Sequence, residues 1–400
     1  MVSATDPALL VVDDNEDNRY TLTRRLTREG YTNLTTATNG REALDLLQSK
    51  PFDLVLLDIM MPDMNGYEVL EHMKAGGELL NIPVIMISAL SEIDSVIRCI
   101  ELGAEDYLPK PFNATLLRAR IGATLEKKRL RDEVRASLAR LEHEMDAARK
   151  LQMGMLPRIF PAHTPEQPVA VYASMESARE VGGDLYDCFY AAPHIFCFLV
   201  GDVSGKGAPA AMFMARARSL VRMATELWRR LAPESMTPAP IAEVVNRELC
   251  QNNRDRMFVT LFLGFLDTRS GVLTYVNAGH LNPYLLRGAG AIERVDGKPE
   301  LPLAVRAGAV FRDASVTLLP DEALFVFSDG VIEAMNVAEE FYGADRLEVG
   351  LRPAANLTPE EIVHAIKRQV DAFTGVAPKA DDVTILALRW RPSAAGKASP

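Results

Sequence analysis

Along residues 9–112, short apolar runs alternate with stretches of helical periodicity. Runs at 9–12, 35–37, 54–57, 84–87 and 107–108 read as strands, and amphipathic patterns at 19–28, 42–48, 67–73 and 94–102 separate them. Strand and helix in regular alternation predict a doubly wound α/β domain built on a five-stranded parallel sheet. Helices on both faces would bury such strands completely, which explains why they are almost wholly Val, Ile and Leu.

A second pattern begins at residue 114. Leu130, Val134, Leu138, Leu141, Met145 and Ala148 follow at steps of 4, 4, 3, 4 and 3, a spacing that keeps them on one stripe of a helix. Mostly charges and Ala lie between them, and Pro157 stops the run. The stripe predicts a long, coiled-coil-like helical linker over 114–156 that pairs with a second copy in a homodimer. A helix lying against its own domain is the alternative.

Beyond a Pro-rich segment at 157–168 the pattern changes again. Strand-like runs come in succession at 169–173, 185–190, 195–200, 258–266, 272–277, 284–286, 310–311, 316–318 and 324–327. Helical segments at 208–230 and 240–251 interrupt them, and another at 359–373 precedes a last strand at 383–388. Grouped strands and grouped helices predict an α+β domain with mainly antiparallel sheet. The expected division is 7–113, 114–156 and 157–390, with a disordered tail at 391–400.

Four hundred residues suit two domains and a connector. A net charge of -10 argues against broad nucleic-acid or anionic-membrane binding, which needs a basic face. Cys99, Cys188, Cys197 and Cys250 are scattered without metal or disulfide spacing and are expected to be reduced. With no apolar run approaching the ~18 residues of a membrane span, a cytoplasmic location is expected.

The polar residues that break the first domain's runs fall at carboxyl ends of strands: Asp13 and Asp14, Asp58, Ser88 and Lys110. Parallel strands bring these ends to one edge, where open α/β folds place their sites. Crowded carboxylates repel unless a hard dication such as Mg²⁺ sits among them, and a lysine can then hold a phosphoryl group. A carboxylate so placed can accept a phosphoryl group. Val11-Val12-Asp13-Asp14, Leu57-Asp58-Ile59-Met60-Met61-Pro62-Asp63-Met64-Asn65-Gly66, Ser88-Ala89 and Asp106-Tyr107-Leu108-Pro109-Lys110-Pro111-Phe112 resemble the receiver domain of two-component response regulators. The resemblance implies phosphorylation of Asp58 by a cognate sensor histidine kinase, with Mg²⁺ held by Asp14, Asp13, Asp58 and the Met60 carbonyl. It further implies Ser88 and Lys110 on the phosphoryl oxygens, Tyr107 as an aromatic switch and a cis Lys110-Pro111 bond.

Aspartates also interrupt strand ends in the second domain: Asp184 after Gly182-Gly183, Asp202 in 201–207, Asp329 in 327–330, and Asp381-Asp382 before Val383. One such Asp is usually a turn residue, but several beside Gly or a second Asp suggest a carboxylate-rich site for Mg²⁺ or Mn²⁺. Residues 201–207 are not a P-loop, because Gly207 stands where Ser or Thr must hold magnesium. Gly182-Gly183-Asp184 is not a diguanylate cyclase signature either, since Leu185-Tyr186 replace Glu-Phe.

Together these segments resemble PPM-type protein phosphatases of the branch that controls sporulation and stress-response sigma factors, and residues 151–157 look like that branch's entry helix. The resemblance implies a β-sandwich flanked by helix pairs. It assigns two Mn²⁺ or Mg²⁺ ions to Asp184, Asp202, the Val203 carbonyl, Asp329 and Asp381, with Asp187 and Asp382 supporting them from behind. Asn277-Ala278-Gly279-His280 also matches a segment of this branch. A structural role is expected for His280, with proton donation to a leaving alkoxide as the alternative. The implied activity is metal-dependent hydrolysis of phosphoserine or phosphothreonine in an anti-sigma-factor antagonist, controlled by Asp58. A phosphorylation-switched adaptor with a silent phosphatase-like domain is the competing expectation.

Overall fold

The structure is a computed structural model that describes residues 6–89, 93–161, 164, 167–233 and 236–392. It divides into two compact units, Met1–Glu142 and His143–Pro400. From residue 393 the expected disordered tail lies outside the described residues.

The first unit has a parallel sheet of β1 (Leu9–Val12), β2 (Leu34–Ala37), β3 (Leu54–Asp58), β4 (Val84–Ser88) and β5 (Asp106–Pro109), in the order β2-β1-β3-β4-β5. Alternate strand residues face opposite layers. Leu10, Val12, Val55 and Leu57 pack with residues of α2 (Gly40–Ser49), α3 (Gly66–Gly76) and α4 (Ile93–Leu102). Leu9, Val11, Leu54 and Leu56 meet α1 (Glu16–Arg28) and the start of α5 (Ala114–Met155). The Asn15 side chain caps α1 by accepting from Asn18 N at 3.1 Å, which turns the chain sharply after Asp14.

The second unit is a sandwich of two antiparallel sheets. One holds β7 (Leu185–Ala192), β8 (Ile195–Val203), β9 (Val259–Asp267), β10 (Val272–Ala278) and β13 (Ala314–Thr317), in the order β13-β10-β9-β8-β7. The other runs β12-β11-β14-β15-β6, from β6 (Val169–Glu176), β11 (Tyr284–Leu286), β12 (Ile292–Arg294), β14 (Ala323–Phe327) and β15 (Val383–Trp390). Phe196, Phe198, Phe262, Leu324 and Leu386 belong to a core shared by the two sheets. Outside it, α6 (Ala208–Leu231) and α7 (Pro238–Cys250) cover the first sheet, and α8 (Gly343–Ala354) and α9 (Pro359–Thr374) the second.

One local expectation fails and two elements were not foreseen. Residues 310–311 form no strand: Phe311 is buried against the α6–α7 layer while Val310 lies in solvent. Helix α8 escapes the periodicity because Gly343, Gly350 and Pro353 obscure it, although Leu347, Leu351 and Ala354 form a clear buried stripe. The short strand β12 has a largely exposed pattern and no apolar signal.

Candidate functional site

Parallel pairing places the carboxyl ends of β1, β3, β4 and β5 along one edge of the first unit. Lys110 Nζ lies 2.7 Å from Asp13 Oδ2 and 2.9 Å from Asp58 Oδ2. The other Asp13 oxygen accepts from Asn15 N at 3.0 Å and Asn18 Nδ2 at 3.2 Å. Oxygens of Asp13, Asp14 and Asp58 all lie within 4.8 Å of one another. Burial raises the Asp58 pKa against the opposing pull of Lys110. For Lys110 burial pulls down, but contact with Asp13 and Asp58 wins and raises it.

Three carboxylates against one ammonium leave negative charge uncompensated, and the donors are all oxygen, so the set fits a hard dication. Ser88 ends β4 and is fully buried, and Tyr107 is buried with its phenol hydrogen-bonded to Ser88. Met60 follows β3 with an exposed side chain. The Lys110-Pro111 bond is cis.

In the second unit the candidate residues gather at one end of the sandwich. Leu185 pairs with Gly201, so Asp184 and Asp202 flank the same end of β7 and β8; Phe327 pairs with Ile385, which brings Ser328 and Asp329 to Asp381 and Asp382. By strand alternation Asp202 continues the face of Phe198 and Val200, toward the space between the sheets. Two glycines permit the close approach: a Cβ on Gly183 would lie 2.8 Å from the Val203 carbonyl oxygen, and one on Gly330 would lie 1.9 Å from that of Asp382.

Burial and the neighbouring Asp202 charge hold Asp184 well above the usual carboxylate range. Asp202 is pushed to about 7 by burial and then by Asp329 and Asp381. Burial and Asp381 also raise Asp329. Lys206 Nζ stands 3.0 Å from Asp381 Oδ2. Among the described residues these four aspartates do not collapse into one tight triad as the first unit's do. A distributed, oxygen-only ligand set is what a pair of hard dications requires, so the residues fit such a group.

Asp382 holds the neighbouring loop: its carboxylate accepts from Ala178 N at 2.8 Å, Gly183 N at 2.6 Å and Asp184 N at 3.3 Å. Asp187 corrects the expectation. It lies three positions along from Asp184, an odd step that turns it to the other face of β7, toward the α6 layer, where Arg222 and Arg218 occupy it. His280 is buried, accepts or donates through Nδ1 with Thr260 Oγ1 at 2.9 Å, and is depressed to about 4 by burial. Its imidazole is sealed from solvent and neutral at physiological pH.

Two residues had no role assigned from the sequence. Ser328 donates to Asp184 Oδ2 at 2.7 Å and accepts from Thr384 N at 3.0 Å. Gln152, in the last turn of α5, donates from Nε2 to the Gly182 carbonyl at 2.6 Å and accepts from Gly182 N at 3.1 Å. Both sit inside quoted motifs, Ser328 beside Asp329 and Gln152 in 151–157, but a lone Ser or Gln carries no chemical signal of its own.

Residues 9–122 match the response regulator receiver domain family, and residues 193–391 match Stage II sporulation protein E (SpoIIE). The chain therefore joins a response regulator receiver domain to a PPM-type phosphatase domain of the SpoIIE family. Protein IcfG of Synechocystis sp. is 29% identical over 290 residues, covering 66% of this chain and 43% of that protein. The probable transcriptional regulator ycf27 of Cyanidium caldarium is 40% identical over 124 residues, covering 31% and 48%. The chain thus spans less than half the length of these relatives.

Among solved structures, the SiaA-PP2C domain of Pseudomonas aeruginosa superposes with a TM-score of 0.55 at 21% identity, covering 64% of this chain and 99% of that one. The RsbU and RsbW domains of Rv1364c from Mycobacterium tuberculosis give 0.50 at 26% identity, covering 60% and 62%. These likenesses agree with the sandwich described above. No described helix is long and apolar enough to cross a membrane.

Proposed function

We propose that the chain is a cytoplasmic response regulator in which phosphorylation of Asp58 by a sensor histidine kinase controls a metal-dependent protein serine/threonine phosphatase. The observation that carries the reading is the convergence of Asp184, Asp202, Asp329 and Asp381, whose charges couple at one end of the sandwich. The working division is a receiver at 7–113, a linker at 114–156 and a phosphatase domain at 157–390.

In the receiver, Asp13, Asp14, Asp58 and the Met60 carbonyl would hold Mg²⁺, while Lys110 and Ser88 take the phosphoryl oxygens and Tyr107 responds to the displaced Ser88. In the phosphatase domain, Asp184, Asp202, Asp329, Asp381 and the Val203 carbonyl would hold two Mn²⁺ or Mg²⁺ ions. Bound there, such ions supply an acidic water as nucleophile and neutralise charge developing on the phosphoryl group. The chain's own contribution is positional. Asp382 and Gln152 fix the 182–184 turn, Ser328 orients Asp184, and Gly183 and Gly330 leave room for close approach.

The substrate class suggested by the SpoIIE family and by the RsbU-containing neighbour is a phosphorylated anti-sigma-factor antagonist. The linker stripe supports a homodimer: Leu130, Val134, Leu138 and Leu141 are each about half exposed on α5. Phosphorylation would change pairing along this stripe, and Gln152 would pass the change to the Asp184 turn. Phosphate release from a phosphoserine protein substrate with Mn²⁺, absent in Asp202→Ala, tests the assignment. Tight partner binding without Mn²⁺ and without turnover would favour the adaptor instead.

A further inference from the structure

Lys206 lies in the turn between β8 and α6 and is not itself one of the oxygen ligands gathered at the end of the sandwich. Its Nζ stands 3.0 Å from Asp381 Oδ2 and also donates to the Ala380 carbonyl. Among the described residues this is the one ion pair made by Asp184, Asp202, Asp329 or Asp381. The other Asp381 oxygen is occupied as well: Oδ1 accepts from Asp382 N at 2.9 Å. A metal ion that takes Asp381 through Oδ2 therefore meets an ammonium already in contact with that oxygen.

Two cations on one carboxylate oxygen repel, and the repulsion is strongest at contact distance. The pair itself is weak. Both side chains are partly open to water, 39% for Lys206 and 37% for Asp381, so solvent screens their attraction. The turn also leaves room for the ammonium to withdraw. Gly205 and Gly207 flank Lys206 with φ of 94° and 77°, and a Cβ on either would meet nothing within 4 Å.

We propose that Lys206 is a built-in counter-ion that occupies Asp381 in the metal-free protein and is expelled when a divalent cation binds there. The inference rests on the phosphatase reading, in which Asp381 is a metal ligand. Lys206 partly neutralises the crowded aspartates while they hold no metal, and it lowers their metal affinity by competing for one of them. A lysine that only pinned Ala380, and so preformed the position of Asp381, would act in the opposite sense.

Calorimetric titration of the full chain with Mn²⁺ tests this, with Asp13→Asn and Asp14→Asn present throughout to remove receiver ligands. Lys206→Met should tighten Mn²⁺ binding about two- to fivefold, the range that an exposed ion pair supports. Lys206→Arg, whose planar fork matches a carboxylate better, should weaken it about twofold or more. In the chain that keeps Lys206, saturating Mn²⁺ should raise acetylation of Lys206 by acetic anhydride about threefold relative to Lys379, which Glu176 holds. The labelling needs no substitution at Lys206 and decides the matter if a variant does not fold. Affinity that Lys206→Met leaves equal or lowers, or Lys206 acetylation that Mn²⁺ does not raise, overturns the competition while the metal assignment stands. Absence of Mn²⁺ binding with Lys206 in place overturns the metal assignment and this inference with it.

Discussion

Gln152 grips Gly182 on both backbone groups, donating to its carbonyl at 2.6 Å and accepting its N–H at 3.1 Å. The last turn of the linker helix is thereby fastened two residues from Asp184. Gln152→Glu places an acceptor against the Gly182 carbonyl and should loosen the turn. Because groups behind metal ligands typically contribute 10–100-fold in affinity, Mn²⁺ binding should weaken by about tenfold. Direct metal titration checks this, and the response to a phosphoryl mimic at Asp58 should shrink in parallel.

Asp187 and Asp382 both neighbour the site in sequence or space, yet they should fail differently. Asp187→Ala strands Arg222 and Arg218 and should cost about 3 kcal/mol of stability, the lower end for a broken buried pair because Arg222 keeps 42% side-chain exposure. Metal affinity of the folded protein should hardly change. Asp382→Ala, by freeing the 183–184 turn, should weaken metal binding at modest cost in melting temperature. Melting curves with and without Mn²⁺ separate the two.

The metal-free protein should respond to pH in two opposed ways. Asp202, raised to about 7, keeps its proton in the folded state where the unfolded chain has lost it, so its contribution falls as pH rises from about 4 through 7. His280, lowered to about 4, contributes stability that is present above 6.5 and lost as pH falls toward 4. Between pH 7 and 8 only the loss from the aspartates remains. Asp202→Asn should therefore raise the melting temperature in EDTA at pH 7–8, and metal should stabilise wild type but not this variant.

The receiver sheet and most of the sandwich were legible because central strands such as β1, β3, β4, β8, β9 and β14 carry nearly continuous apolar runs. Asp58, Asp202, Asp329 and Asp381 stood out as charges breaking those runs at their ends. Asp187 misled because it follows three positions after Asp184, and only the two-residue period of β7 separates their faces. Gln152 and Ser328 were missed because their roles come from geometry 30 and 144 residues away in sequence. Phe311 resembles a strand residue in sequence, but its side chain packs into the α6–α7 layer without a neighbouring strand to pair with.

The exposed stripe on α5 should be what holds two copies together. Leu138→Asp puts a charge in the middle of that seam and should convert a dimer to a monomer in light scattering, with the receiver and phosphatase domains still folded. A wild-type chain that is monomeric at all concentrations, with and without the phosphoryl mimic, would assign the stripe to another role.

The central claim is that one chain couples an aspartyl phosphorylation site to a metal-dependent phosphatase. Its most direct test is Mn²⁺-dependent phosphate release from a phosphoserine substrate protein by wild type, Asp202→Ala and Asp58→Asn, each with and without beryllofluoride. Wild type should turn over at a rate that beryllofluoride changes, Asp58→Asn should turn over at a rate that it does not change, and Asp202→Ala should not turn over. Turnover that survives Asp202→Ala, or that beryllofluoride shifts equally in wild type and Asp58→Asn, would contradict the claim.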